Sequence, residues 1–269
     1  MTDFEKIILN RRSVRTFEPK ALPQDVLDGI ENYAASLTNP WNIPCTFHLY
    51  DAKRFNLSSP VIVGAPYYLI GKCKNVPDFE LAFGYTMQKI TTFIEEIGLG
   101  TVFIGGTMKR EPFEKAIDLQ ADEVMPCISP VGIPAKKMAI RETLMRQGVK
   151  ADTRLPMGEL FFEGSFKTPL APQDEITQTA LRLIRRAPSA VNKQPWRVLK
   201  DGSTYHFYED KTLNSGAESG DMQKIDLGIA IACFTMVLDQ YNVPYDIGFQ
   251  DPKIADTGNK LYCAYVHIR

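Results

Sequence analysis

Two stretches of the chain carry residue types whose spacing could do chemistry. The first is Arg11-Arg12-Ser13-Val14-Arg15-Thr16-Phe17. In an extended segment, Arg11, Ser13 and Arg15 point to one side. Guanidiniums flanking a hydroxyl suit a phosphate, because a guanidinium grips an oxyanion through two parallel hydrogen bonds. Each such charge-assisted bond contributes about 1.5–3 kcal/mol. Taken alone, the same cluster also reads as solvated surface. The second stretch is Ala187-Pro188-Ser189-Ala190-Val191-Asn192-Lys193-Gln194-Pro195-Trp196. Its two prolines fix their own φ. Ser189, Asn192 and Gln194 offer donors and acceptors that can bind a planar heterocycle by its edge. Trp196 brings a large apolar body that packs inward. The stretch is a stiff loop built to present hydrogen-bonding groups.

The elements that must position these groups follow from periodicity. Phe4, Ile7 and Ile8 form a helical stripe over residues 3–10, and Pro23-Gln24-Asp25 opens a helix to about Ser36. A strand is expected at Thr46–Tyr50, and another within 61–71 around Tyr67-Tyr68-Leu69-Ile70. Phe83, Met87, Ile90, Ile94 and Ile97 mark a long core helix over 78–97, with Gly98 as its natural terminator. Thr101–Ile104 reads as a short strand ending in Gly105-Gly106. That pair suits a plain turn, or a place where backbone N–H groups approach a ligand closely. A short helix is expected at Glu111–Ile117, and a strand leading into Val131-Gly132-Ile133-Pro134. The basic run over 135–154 reads as a solvated loop, and Leu155–Phe162 as a connector.

The bulk properties narrow the field. The chain has 269 residues, 44% hydrophobic and 23% charged, with a net charge of -1. Such a balance supplies no global field for nucleic acid or an acidic membrane, so any anion site must be local. The five cysteines are scattered without a Cys-x-x-Cys pair, as expected of reduced thiols. His48, His206 and His267 lie far apart, which argues against a histidine metal site. The N-terminus does not resemble a signal peptide, and no apolar run approaches the ~20 residues of a membrane helix. A cytoplasmic location is expected.

The chain also repeats itself, at an interval of roughly 150 residues. Pro23-Gln24-Asp25 matches Pro172-Gln173-Asp174, Ile43-Pro44-Cys45 matches Gln194-Pro195-Trp196, and His48–Asp51 matches Val198–Asp201. Ala82-Phe83-Gly84 of the core helix answers Asp226-Leu227-Gly228, where Leu227, Ile231, Phe234 and Leu238 form the stripe. The second copy ends in a strand at Leu261–Ile268. The copies have diverged in complementary ways. The first keeps the arginine clamp, but its loop is Asn39-Pro40-Trp41-Asn42; the second keeps the loop, with Leu160–Ser165 where the clamp would be. One composite site and one derelict site are expected.

The clamp, the 187–196 loop, the helix ending Gly98-Leu99-Gly100, the Gly105-Gly106 turn and Val131-Gly132-Ile133-Pro134 together resemble the nitroreductase family, over nearly the whole chain. More closely, the sequence resembles a subgroup with two fused family-like halves. The resemblance implies an α+β nitroreductase-like fold, with mixed or antiparallel sheets flanked by helices. It implies an internal duplication forming a pseudo-dimer, with halves at 1–160 and 161–269. It implies FMN, with NADH or NADPH as electron donor and a small electron-poor acceptor such as a nitroaromatic or quinone, and a pseudo-dimeric monomer or a homodimer.

Carried over by position, Arg11, Arg12 and Ser13 would hold the FMN phosphate and ribityl chain, and Arg15 the N1/O2 edge. Pro188, Ser189, Ala190, Asn192 and Gln194 would come from the other half, with Ile104, Gly105 and Gly106 giving contacts near N5 and O4. Arg154 is the further phosphate candidate, with Arg141 second. No general acid or base is implied. The sequence departs from the family in having Ile104 where many members carry an acidic residue, and in showing no helical excursion over the substrate side. Dehalogenation, enone reduction, flavin breakdown, or flavin binding without turnover remain as alternatives.

Overall fold

The computed structural model describes residues 3–213 and 219–269. Met1 and Thr2, at the start of the segment considered for a signal peptide, lie outside the described residues, as does the Phe4 side chain of the first stripe. The chain begins with α1 (Asp3–Asn10) and α2 (Gln24–Ser36), followed by β1 (Cys45–Asp51), β2 (Tyr67–Lys74) and the long α3 (Phe79–Glu96). Next come α4 (Arg110–Ala116), β3 (Glu123–Val124), β4 (Ile128–Val131), α5 (Ile140–Gly148) and α6 (Met157–Leu160). The remainder is β5 (Phe161–Glu163), β6 (Ser165–Pro169), α7 (Glu175–Arg186), β7 (Trp196–Asp201), β8 (Thr204–Asp210), α8 (Met222–Gln240), β9 (Tyr245–Gly248) and β10 (Lys260–Ile268).

Two sheets result. In the first, β2 pairs with β1 on one edge and with β4 and β3 on the other, all antiparallel. The second runs β6-β5-β7-β8-β10-β9, and only its β5–β7 pair is parallel. The order helix–strand–strand–helix occurs twice, as α2-β1-β2-α3 and as α7-β7-β8-α8. No described helix is long and apolar enough to cross a membrane.

The two long helices cross against each other, and glycine decides how closely. A methyl group added at Gly84 would lie 2.2 Å from the carbonyl oxygen of Ile225, and one added at Gly228 would lie 2.2 Å from that of Leu81. Each carbonyl belongs to the residue three before the partner's glycine, so the contact is reciprocal. The Thr235 hydroxyl donates to the Tyr85 hydroxyl at 3.2 Å and ties the pair further along. One core cluster gathers α7, α8, β7 and Trp196; another gathers α2, α3, β1 and β2. Asp174 and Asp221 start α7 and α8 by accepting backbone N–H bonds from Thr177 and Gln223, both at 3.0 Å.

Four expectations need correction. Thr101–Ile104 makes only one isolated bridge, Ile104 with Ile128, with another just before it between Gly100 and Gly132. Its backbone groups are shared out instead: Thr101 accepts from Val14, and Val102 donates to the Ser129 hydroxyl. The strand within 61–71 starts only at Tyr67, because Gly64 takes a positive φ of 75° to pass under the Phe17 carbonyl. The basic run over 135–154 contains a helix, α5, with Glu142 in its first turn and Arg146 in its last, each complementing the helix dipole. The connector over 155–162 holds α6 and the start of β5.

The crossing yields the first prediction. Gly228→Ala should destabilise the protein by about 1–3 kcal/mol in urea denaturation, because the added methyl has no room. Gly29→Ala in α2, where nothing lies within 4 Å, should stabilise by up to about 1 kcal/mol.

Candidate functional site

The clamp segment leaves α1 and runs extended across the end of the first sheet. Val14 donates its N–H to Thr101 at 2.9 Å and buries its side chain. Val63 donates to the Arg15 carbonyl, and Phe17 donates to that of Val63, both at 2.9 Å. With Val14 turned inward, alternation turns Ser13 and Arg15 the other way, toward a cavity of about 320 Å³.

The opposite wall is the loop after α7. Val191, Asn192 and Gln194 all have positive φ, at 43°, 58° and 50°, a conformation that L residues adopt only when the surroundings hold them there. The holding groups are visible. Gln194 Oε1 accepts from Leu155 N at 2.9 Å, and Gln194 N donates to the Ser189 hydroxyl at 2.9 Å. Asn192 Nδ2 donates to Lys150 O at 2.8 Å and Thr153 O at 3.1 Å. Ala190 N donates to Asp226 Oδ2 at 2.9 Å, fixing the loop to α8.

The structure therefore brings Arg11, Arg12, Ser13, Arg15, Ile104, Gly105, Gly106, Arg154, Pro188, Ser189, Ala190 and Asn192 together around one cavity. Residues over 170 positions apart in sequence face each other across it. Gln194 is a correction. It is buried behind the wall, where its amide braces the loop, and it does not line the cavity. Arg141, the second phosphate candidate, points elsewhere and donates to Pro60 O.

The cavity is strongly cationic at one end. Arg11, Arg12, Arg15, Arg146, Arg154 and Arg186 all line it. Arg11, Arg15 and Arg154 each hold a buried Nε with no acceptor among the described residues. Arg154 spends Nη1 on Ala151 O, Thr153 O and Asn192 Oδ1. Burial, with Arg186 and Arg11 close by, draws its guanidinium down to about 10. Burial also lowers Arg15, against the attraction of Glu142. The inner end is apolar, with Met222, Ile225 and Ile229 of α8. There Gly105 packs closely on the flexible end of Met222, since an added methyl would lie 2.5 Å from Met222 Cε, while Gly106 has open space beside it.

Helix α5 closes over the arginine end. Glu142 is buried, accepting from Arg12 Nη1 at 2.8 Å and from the Thr16 hydroxyl at 2.7 Å. Met145, Arg146 and Val149 reach the cavity wall. The basic composition concealed this helix. Sequence reasoning also missed Arg186 and the α8 residues. Asp226 carried a usable signal, as a carboxylate inside an otherwise apolar helical run.

On the other side of the crossing, the matching place is filled. Tyr85 follows Gly84 as the cavity-lining Ile229 follows Gly228. The Tyr85 ring packs edge-on against Trp41 at 5.9 Å between centroids, and Phe249 lies 5.4 Å from Trp41. Trp41 belongs to the loop that matches 187–196 in sequence.

A family profile described as "Putative TM nitroreductase" matches residues 3–237. The crystal structure of a putative nitroreductase from Thermotoga maritima shares the fold, with TM-score 0.63 and 21% identity over 99% of this chain and 94% of that one. Smaller similarities cover half of the chain. An iodotyrosine deiodinase bound to FMN and 3-iodo-L-tyrosine matches at TM-score 0.42 and 17% identity, over 51% of this chain and 92% of its own. An FMN-dependent nitroreductase from Clostridium difficile matches at 0.42 and 15%, over 52% and 94%. No curated protein matches the sequence significantly.

Two predictions follow from the charges around the clamp. Glu142→Gln leaves one of the two donors, Arg12 or Thr16, without an acceptor. It should cost about 1–3 kcal/mol and speed amide exchange across residues 139–148. Behind the clamp, burial pushes the Glu95 carboxyl from 4.5 up to about 7, opposed by Arg11 and by the Thr101 hydroxyl. A raised folded-state value means that its contribution to stability is complete below pH 4.5 and is lost as pH rises through about 7. Glu95→Gln should flatten that decline by up to about 3 kcal/mol in denaturation curves taken across this pH range.

Proposed function

This chain belongs to the nitroreductase family, and from that premise we propose that it binds FMN and uses it to pass electrons from NADH or NADPH to a small electron-poor acceptor. The observation that carries the reading is the set of three buried guanidinium nitrogens, on Arg11, Arg15 and Arg154, that lack acceptors around one cavity. Glu95 lies 3.9 Å from Arg11 and Glu142 pairs with Arg12, but these carboxylates leave the three nitrogens unbonded, and clustered cations so placed call for a further anion. The apolar inner end and the backbone of Gly105-Gly106 call for a flat ring held edge-on. A molecule with a phosphate at one end and a heteroaromatic ring at the other meets both demands. FMN-bound and FMN-dependent proteins among the structural relatives agree with this choice.

Bound FMN would supply the hydride-accepting ring, and the residues of the chain bind, orient and shield it. Arg11, Ser13 and Arg154 would take the phosphate end. Arg12 shares its guanidinium with Glu142 and so contributes less to the phosphate than its place in the motif suggests. Arg15, whose guanidinium makes no hydrogen bond among the described residues, would meet the edge of the ring where negative charge collects on reduction. Pro188, Ser189, Ala190 and Asn192 would form the wall contributed by the second half. The halves at 1–160 and 161–269 would be fused duplicates forming a pseudo-dimer. Reciprocal packing at Gly84 and Gly228 supports this, and the aromatic filling at Trp41 supports one flavin per chain. A second reading, another reaction of the same family such as dehalogenation or enone reduction, draws on α5, which sets Met145 and Arg146 over the cavity.

The purified protein should be yellow, hold about one FMN per chain, and lose its colour with NADH or NADPH under nitrogen. Arg15→Ala should weaken FMN binding by roughly 10–100-fold in a fluorescence titration. A colourless protein that takes up no added FMN would overturn the reading. Flavin that binds without bleaching would leave a carrier in place of an enzyme.

A further inference from the structure

The inner end of the cavity holds one acidic side chain from α8. Asp226 is 3% exposed and lies one helical turn before Ile229 on the cavity wall. Its Oδ2 accepts from Ala190 N at 2.9 Å. Its other oxygen has no hydrogen-bond partner among the described residues, and no described cation pairs with it. The six arginines that line the cavity thus leave this carboxyl unneutralised. An ionised carboxylate in such a place would be a lone buried charge, which is costly. A neutral acid keeps one oxygen for the Ala190 N–H and turns a hydroxyl outward as a donor. At the matching place on α3 the residue is Ala82, so the feature belongs to the cavity side alone.

We propose that Asp226 is a protonated acid that donates a hydrogen bond to a ring nitrogen or carbonyl oxygen of the heteroaromatic group bound in the cavity. The inference rests on the FMN reading above and adds a residue to it. It divides the site by charge. The arginines take the anionic end, and a neutral donor takes the ring, where a carboxylate would repel electron density. The charged groups that act on Asp226 from the packed elements favour the same state, and only the Ala190 N–H opposes it, by favouring the carboxylate. Asp221 on its own helix and Glu209 on β8 are acids, the Cys127 thiol before β4 is uncharged, and the loop contributes only the Ala190 N–H. Burial, reinforced by Asp221 and Glu209, raises the carboxyl well above the ordinary carboxylate range.

Two variants and two readouts test the role. Asp226→Asn keeps both hydrogen bonds, accepting from Ala190 and donating inward, but cannot ionise. It should bind FMN within about twofold of the wild type at neutral pH, while Asp226→Leu should bind about tenfold more weakly. Infrared difference spectra of the wild type should contain a protonated carboxyl band that is missing in Asp226→Asn and that moves when FMN is added. A purely structural carboxyl would leave the band in place on FMN addition, and that result overturns the donor role. So does the absence of the band at neutral pH, or a loss of affinity in Asp226→Asn as large as in Asp226→Leu. If the wild type takes up no FMN, the flavin reading fails and the donor role falls with it. The band recorded without ligand still reports whether the acid is protonated.

Discussion

The close crossing of α3 and α8 is the constraint on which the rest depends. Two glycines remove the side chains that would hold the helices apart, and each helix lays a backbone carbonyl into the space left by the other. The approach fixes both sheets relative to one another, because α3 packs in the core cluster with β1 and β2 and α8 in the cluster with β7 and β8. It also sets the inner end of the cavity, since Ile225, Asp226 and Ile229 flank Gly228 on the same helix. Interiors packed at crystal-like density transmit such shifts with little loss. A displacement at the crossing would therefore be felt at the cavity wall.

Around that frame the site is assembled from mutual support between distant segments. The loop after α7 takes three left-handed residues in a span of four, which an isolated peptide would not hold. It is strapped to residues 150–155 by Asn192 and Gln194, and to α8 by Asp226. Residues 150–155 in turn place Arg154 among the other guanidiniums. The stretch therefore positions a cation and braces a loop through the same few hydrogen bonds, which is why Gln194 belongs to the support and not to the surface of the cavity.

Much of this was legible in the sequence, for reasons that differ by element. The core helices announced themselves because burial leaves a periodic apolar stripe, and the clamp and loop because arginine, proline and amide side chains in short order are hard to read as filler. The internal matches brought those two stretches together before any coordinates did. Helix α5 was hidden because its few apolar residues are swamped by charge, and its single buried acid, Glu142, becomes meaningful only when Arg12 and Thr16 meet it. Thr101–Ile104 looked like a strand because its side chains are apolar, yet its backbone partners lie in separate segments. Asp226 entered the sequence reading only as part of the match between helices, since one-dimensional patterns do not say which face of a buried helix meets a void.

The cavity is walled by two distant segments of one polypeptide, with the arginines of residues 11–15 on one side and the loop after α7 on the other. Whatever fills it is bonded to both walls at once and behaves as a clasp between them. Occupancy and cohesion of the whole chain are then thermodynamically linked, and a ligand held a hundredfold above its dissociation constant adds about 2.7 kcal/mol against unfolding. The empty and filled proteins would differ in how readily the two walls part, so the supply of the ligand would govern the lifetime of the chain as well as its chemistry.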